Sequence, residues 1–161
     1  MSGMADLPQK PVVYIDANPF MYALEGAEDL AAVLRELFAR FRQGLGIAVT
    51  SELTLAEVLP KRRIPDRHFL DLLIWSKIFD LRPVTRDILV GTAEYRRISA
   101  PTHSDGKVKL PPLPDAIHVV TAIRSGCGVF LSSDSRIKLP QGMKLVKADN
   151  AGVEALIREL V

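Results

Sequence analysis

The chain has 161 residues, and its 21 lysines and arginines against 19 aspartates and glutamates give a formal net charge of +2. Its 48% hydrophobic content supplies a core for one domain over residues 1–161. The charge is too small for a protein that coats DNA, but it is compatible with a nucleic-acid partner. The single cysteine, Cys127, excludes an internal disulfide and a cysteine-rich zinc site. No apolar run reaches the roughly 20 residues of a membrane span, and Met1–Pro11 lacks a signal-peptide layout, so we expect a cytoplasmic protein.

The first half of the chain alternates apolar runs with amphipathic segments. Residues 12–15 predict a strand buried on both faces of a parallel sheet, and Asp16 ends it. Asn18 as N-cap and Pro19 as the first helical residue predict a helix that stops near Gly26. The following patterns predict a helix over 29–42, a strand over 47–49, a helix capped by Ser51, a helix opening at Pro65, a strand over 78–84 and a helix capped by Thr85.

The second half continues the alternation after a polar, proline-rich loop at residues 99–113, which is long enough to be functional or mobile. A strongly apolar helix follows, with Asp115 in its first turn. Residues 129–131 predict a buried strand, residues 144–146 a further strand, and Asn150 opens the last helix. This order predicts an α/β fold with three layers, α/β/α, around a central parallel sheet of about five strands.

Four acidic residues lie near the carboxyl ends of predicted strands or in the first turns of helices: Asp16, Glu57, Asp115 and Asp134. Ligands of open α/β sheets bind at that edge. Four carboxylates without a lysine or arginine in their own motifs would repel one another unless a divalent cation lay between them. Oxygen ligands suit Mg²⁺ or Mn²⁺, which can activate water against a phosphodiester. For Asp16 taken alone, a helix-capping role is an equally good explanation.

Four blocks carry a resemblance to a known family: Val-Tyr-Ile-Asp16-Ala-Asn18, residues 51–58, Pro114-Asp115-Ala-Ile-His118, and Leu-Ser132-Ser-Asp134. In this order they resemble the PIN-domain ribonucleases, and most of all the VapC-type toxins of toxin–antitoxin pairs. The resemblance implies a PIN-like fold and an endoribonuclease that depends on Mg²⁺ or Mn²⁺. It also implies an RNA substrate, an antitoxin-like partner and a homodimer. The loop at 99–113 is a departure from the compact members of the family.

The same resemblance implies roles for particular residues. Asp16, Glu57, Asp115 and Asp134 are the implied catalytic and metal-binding acids, with Asn18 and Ser132 as polar supports beside them. Outside the implied set, Arg136 and Lys138 follow Asp134 closely, and they are our candidates for contact with RNA phosphates. His118 lies one helical turn after Asp115, where a packed or hydrogen-bonded structural histidine is favoured over a general base.

Three alternatives can be weighed from the residues. A haloacid-dehalogenase-type phosphotransferase repeats its first aspartate two positions later, where this chain has Asn18. A response-regulator receiver needs an acceptor aspartate at the end of its third strand, where Pro83-Val84-Thr85 stands. Both fit poorly. The third alternative stays open, because intact acids do not prove turnover: a PIN-like module that binds RNA or protein without cutting.

Overall fold

The computed structural model describes residues 9–161, so the part of the signal-peptide argument that concerns residues 1–8 lies outside the described residues. The strands are Val12–Ile15 (β1), Ile47–Ser51 (β2), Phe79–Arg82 (β3), Val129–Ser132 (β4) and Lys144–Lys147 (β5). The helices are Ala17–Glu25 (α1), Glu28–Arg42 (α2), Leu53–Val58 (α3), Asp66–Leu70 (α4), Arg86–Ile98 (α5), Leu113–Arg124 (α6) and Asn150–Glu159 (α7). A 3₁₀ turn at Leu59–Lys61 extends α3, and a π-helical turn at Asp71–Trp75 extends α4. Within residues 9–161, no helix is long and apolar enough to cross a membrane.

The five strands form one parallel sheet in the order β3-β2-β1-β4-β5. Tyr14 at the centre pairs with Val49 of β2 on one side and with Phe130 of β4 on the other. The chain builds the sheet outward from β1 to β3 and then returns to place β4 against the free side of β1. The strand order therefore reverses between β1 and β4, and the crevice beyond their carboxyl ends is the usual ligand position of such sheets.

The side chains of β1 alternate between two cores. Val13 and Ile15 pack in the core that contains residues of α1, α2 and α7, whereas Tyr14 packs with Val119 and Ala122 of α6 on the other face. Helices therefore cover both faces of the sheet, which explains why the strand sequences are apolar without alternation. The predicted three-layer α/β fold with a central parallel sheet is confirmed.

Several predicted boundaries differ from the structure by one or more residues; for example, β2 ends at Ser51 rather than at residue 49. Helix α1 begins at Ala17, and its N-cap is Asp16, whose Oδ1 accepts a hydrogen bond of 2.8 Å from the Ala17 amide. Asn18 and Pro19 therefore lie inside the first turn, where a missing proline N–H costs nothing. Strand β3 stops at Arg82 rather than running to residue 84, and the loop ends one residue earlier than predicted because α6 begins at Leu113.

Candidate active site

Asp16 and Ser132 meet at the carboxyl ends of β1 and β4. The Asp16 amide donates to the carbonyl of Leu131 at 3.0 Å, which continues the ladder between the two strands. Ser132 Oγ donates to Asp16 Oδ2 at 2.7 Å and accepts from the Asp134 amide at 3.1 Å. The nearly buried Asp16 carboxylate is thus fixed from both sides, by its helix cap and by Ser132.

Asn18, the other predicted polar support, contacts the residue next to Asp134 rather than one of the four carboxylates. Its Nδ2 donates to Ser133 Oγ at 2.8 Å and so ties the first turn of α1 to the segment after β4. This hydrogen bond supports the backbone that carries Asp134.

Glu57 and His118 form the second contact of the site. His118 is 1% exposed, and its Nε2 donates a hydrogen bond to Glu57 Oε1 while lying 3.6 Å from Asp16 Oδ1. Its other ring nitrogen, Nδ1, lies 2.5 Å from the Tyr14 hydroxyl. Because a carboxylate only accepts, Nε2 carries a proton, and in the neutral imidazole the Tyr14 hydroxyl donates to Nδ1. The prediction of a packed, hydrogen-bonded histidine is confirmed.

The ionisation of His118 is set by opposing effects. Burial alone would lower the pKa of His118, but the hydrogen bond to Glu57 and the charges of Asp16, Glu57 and Asp115 outweigh it and raise the pKa. Burial and the nearby charge of Asp16 raise the pKa of Tyr14 well above its usual value, so this hydroxyl keeps its proton. The histidine therefore acts as a cationic or proton-donating link inside the acidic cluster.

Among the four acids, Asp115 has a pKa that burial and the charges of the other three raise. Burial, followed by the charges of Asp16 and Asp134, raises the pKa of its carboxyl group. Glu57 adds to this effect, and His118 opposes it. The charges of the other three acids therefore reach Asp115. Among the described residues, side-chain hydrogen bonds engage the carboxylates of Asp16, Glu57 and Asp134, but none engages that of Asp115.

Asp134 has a cationic partner that lies just outside its own motif. Arg136 Nε donates to Asp134 Oδ1 at 3.1 Å, and the Arg136 amide donates to the same oxygen at 2.9 Å. These two bonds lower the pKa of the Asp134 carboxyl group. An aspartate side chain often accepts a hydrogen bond from the backbone amide two residues later. The spacing of Asp134 and Arg136 therefore indicates this contact from the sequence.

The comparison with family models decides the family. A model described as the PIN domain matches residues 13–141. The chain belongs to the PIN-domain family. The matched segment begins within β1 and extends beyond β4, so it contains all four acids.

Solved structures of PIN-domain type share the fold. The crystal structure of Mycobacterium tuberculosis VapC20, a toxin that cleaves the sarcin–ricin loop, aligns with a TM-score of 0.52 at 16% identity, covering 73% of this chain and 86% of that one. A chain of VapBC2 from Rickettsia felis, bound to a DNA fragment from their promoter, aligns with a TM-score of 0.55 at 14% identity, covering 84% of this chain and 98% of that one. At these identities the likeness concerns the fold. No curated protein sequence matches the chain at a significant level.

The four acids of this PIN domain have the ligand chemistry that a divalent cation needs, but the distances between their side chains do not match those of a metal site. All four candidate ligands offer hard carboxylate oxygens, and the raised pKa of Asp115 reflects crowded negative charge that a cation would relieve. Within residues 9–161, however, no three His, Cys, Asp or Glu side chains lie close enough together to hold a metal ion. Two of the acids have other partners, because Glu57 is bound by His118 and Asp134 by Arg136.

Arg136 and Lys138, the residues predicted to contact phosphates, lie close to the acids. Both line a cleft that also contains Asp115 and Asp134. The Arg136 side chain is 89% exposed despite its ion pair, and Lys138 Nζ donates to the carbonyl of Ser99 at 3.5 Å. Cationic groups therefore flank the acids on the open side of the site.

Proposed function

We propose that this PIN-domain protein is a metal-dependent endoribonuclease that cleaves phosphodiester bonds of RNA in the cytoplasm as the toxin of a toxin–antitoxin pair. The observation that carries the proposal is the carboxylate of Asp115. It lines a cleft together with Asp134 and Arg136, and burial and the charges of Asp16 and Asp134 raise its pKa. Crowded acids with a perturbed pKa in a cleft are typical of functional sites.

The four acids Asp16, Glu57, Asp115 and Asp134 are the proposed ligands of Mg²⁺ or Mn²⁺. Asp16 is held in place by Ser132, and the Asp115 carboxylate accepts no hydrogen bond among the described residues, so these two would hold an ion without giving up a side-chain partner from another acid's neighbourhood. Glu57 and Asp134 would have to exchange their bonds to His118 and Arg136 for bonds to the ion. A divalent ion in this position supplies a Lewis acid for the phosphate and lowers the pKa of water.

Arg136 and Lys138 are the proposed contacts to RNA phosphates. Once Asp134 turns toward an ion, the guanidinium of Arg136 is free to pair with a phosphate oxygen in two-pronged geometry. Lys138 follows it along the same cleft. The positive charges thereby hold a polyanion next to acids that would otherwise repel it.

The proposed partner is an antitoxin-like protein that covers the acids, together with a second copy of this chain in a homodimer. The structural neighbour from Rickettsia felis is a toxin–antitoxin pair, VapBC2. An arginine from such a partner can pair with the carboxylates in place of a metal ion. Co-expression with the product of the neighbouring reading frame, followed by sedimentation, tests this. If the protein sediments as a monomer and nothing co-purifies with it, both the antitoxin-like partner and the homodimer are contradicted.

Incubation of purified protein with a structured RNA and Mn²⁺, with and without a chelator, tests the activity. The proposal expects internal cleavage products that disappear with the chelator. The second candidate, a non-cleaving PIN-like module, is favoured by the way His118 and Arg136 already engage two of the acids. It expects retained RNA binding and no cleavage under either condition.

A further inference from the structure

A cleft of about 290 Å³ opens directly beside the candidate acids. Asp115 and Asp134 line it together with Tyr95, Lys109, Leu110 and Lys138. The loop at residues 99–112 supplies several of the other lining residues. This loop therefore adjoins the proposed catalytic centre.

Hydrogen bonds from the end of α5 fix both walls of this cleft. The Tyr95 hydroxyl donates to the carbonyl of Lys138 at 2.8 Å, and Arg96 Nε donates to the carbonyl of Pro111 at 2.8 Å. Within the loop, the Lys109 amide donates to the carbonyl of Pro101 at 3.3 Å. The walls are thus tied to a helix, and the cleft is formed before a ligand arrives.

The chemistry of the walls matches one nucleotide of a single strand. Lys109 and Lys138 supply positive charge for phosphates, and Leu110, which is 46% exposed, offers an apolar surface to a base. A space of about 290 Å³ lies at the low end of ligand pockets, so it fits one nucleoside rather than a stretch of duplex. Proteins that recognise RNA by sequence take up such unpaired bases from loops and single strands.

We propose that this cleft takes up one unpaired nucleotide next to the cut, with Leu110 against the base and Lys109 against a phosphate. The loop at 99–112 then sets which base is accepted beside Asp115 and Asp134. This inference rests on the proposed ribonuclease function, and it names the substrate class of that site.

Binding measurements test the inference without requiring cleavage. The probes are a fluorescein-labelled RNA octamer, an abasic octamer with the same phosphates, and the octamer annealed to its complement, each titrated by anisotropy in Ca²⁺. We expect the octamer to bind at least about fivefold more tightly than the abasic strand, because the abasic strand lacks the base whose apolar surface Leu110 would cover. The duplex should bind no better than the abasic strand.

Neighbouring residues of the same loop provide matched controls. Leu110→Ala should remove most of the difference between the octamer and the abasic strand, whereas Val108→Ala, at an exposed position outside the cleft, should keep it. Lys109→Ala should lower the slope of log affinity against log salt by about 0.7. Lys107→Ala, two residues away and outside the cleft, should leave that slope unchanged.

The outcomes separate this inference from the proposed function. Any one of three results would overturn the cleft assignment, even for an active nuclease. These are equal affinities for the octamer and the abasic strand, duplex binding as tight as single-strand binding, and equal effects of Leu110→Ala and Val108→Ala. Base-dependent binding without Mn²⁺-dependent cleavage overturns the nuclease and supports the cleft. A chain that binds none of the probes overturns both.

Discussion

His118 donates from Nε2 to the carboxylate of Glu57 and joins helix α6 to helix α3 across the candidate site. The same imidazole reaches the Tyr14 hydroxyl of β1 through Nδ1, so one buried side chain connects the central strand with two helices. The hydrogen bond from His118 occupies Glu57 Oε1. An ion that recruits Glu57 therefore competes with this hydrogen bond.

Tyr14→Phe should destabilise the protein by about 1–3 kcal/mol, because it leaves the buried Nδ1 of His118 without its hydroxyl partner. The ring itself stays, and its stacking on Phe130 at 5.0 Å is preserved. Urea unfolding measures the change. Tyr22→Phe, at a half-exposed position of α1, is the control and should change stability by less than about 0.5 kcal/mol. Similar losses in the two variants would contradict a structural role for the Tyr14 hydroxyl.

Asp115→Asn and Asp134→Asn should affect the metal-free protein in opposite directions. Burial and like charges raise the pKa of Asp115, so removal of its charge should leave the melting temperature unchanged or higher. Asp134 is paired with Arg136, and loss of this exposed pair should cost up to about 1 kcal/mol. Thermal melts in a chelator compare them. If both variants melt higher than the wild type, the ion pair does not offset the repulsion among the acids.

Asp115→Asn should also reduce the stabilisation gained from added Mn²⁺, because that gain depends on the ion concentration relative to the dissociation constant. The same melts repeated over a Mn²⁺ series give the result. Asp105→Asn, an exposed acid of the loop at 99–112, should keep the full shift. A full shift in Asp115→Asn would remove Asp115 from the ligand set.

Arg136→Ala should weaken the salt dependence of RNA binding, since the slope of log affinity against log salt falls by about 0.7 for every phosphate of a single strand that the protein no longer neutralises. Binding in Ca²⁺ at several salt concentrations provides the slope. Arg158→Ala, on helix α7 behind β5, removes the same charge elsewhere and should leave the slope unchanged. Equal slopes for all three proteins would place Arg136 away from the RNA.

Cys127 gives a prediction on pH dependence. Burial raises the pKa of its thiol to about 12, and the residue is only 6% exposed. The unfolded chain releases this proton above about pH 8.5, so the thiol's contribution to stability should be lost as pH rises from there toward the folded pKa. Native protein at pH 8 should react with a thiol reagent only after unfolding in urea. Rapid reaction of the native thiol would contradict its burial.

Comparison with Cys127→Ala isolates the contribution of the thiol from that of the other groups that titrate in alkali. The wild type should lose more free energy of unfolding between pH 8 and 10 than this variant does. Parallel pH profiles would show that the thiol titrates alike in the folded and unfolded states.

Much of the fold could be predicted from the sequence, because unbroken apolar runs such as residues 12–15 require helices on both faces of a sheet. The predicted start of α1 was wrong because two residues compete as its N-cap. Asp16 and Asn18 are both good N-cap residues, and the pairing of β1 with β4 places Asp16 at the cap. The domain assignment to residues 1–161 and the metal role of the four acids stay predictions.

The contacts inside the site were less accessible to sequence reasoning. His118 is separated by 61 residues from Glu57 and by 104 from Tyr14, so only the packing of α6 against the sheet brings them together. Periodicity assigns His118 to a buried helix face, but it carries no information on which polar group that face meets. The pair of Asp134 and Arg136 is local, and turn chemistry could have indicated it.

Cleavage of a structured RNA in Mn²⁺ by the wild type, Asp115→Asn and Asp105→Asn, purified in parallel, tests the central claim most directly. Metal-dependent chemistry at the acidic cluster predicts internal cleavage by the wild type and by Asp105→Asn, and loss of most cleavage in a folded Asp115→Asn protein, because a first ligand of the ion is missing. Parallel purification exposes a contaminating nuclease, which would act equally in all three samples. Undiminished cleavage by Asp115→Asn would contradict the assignment of this site.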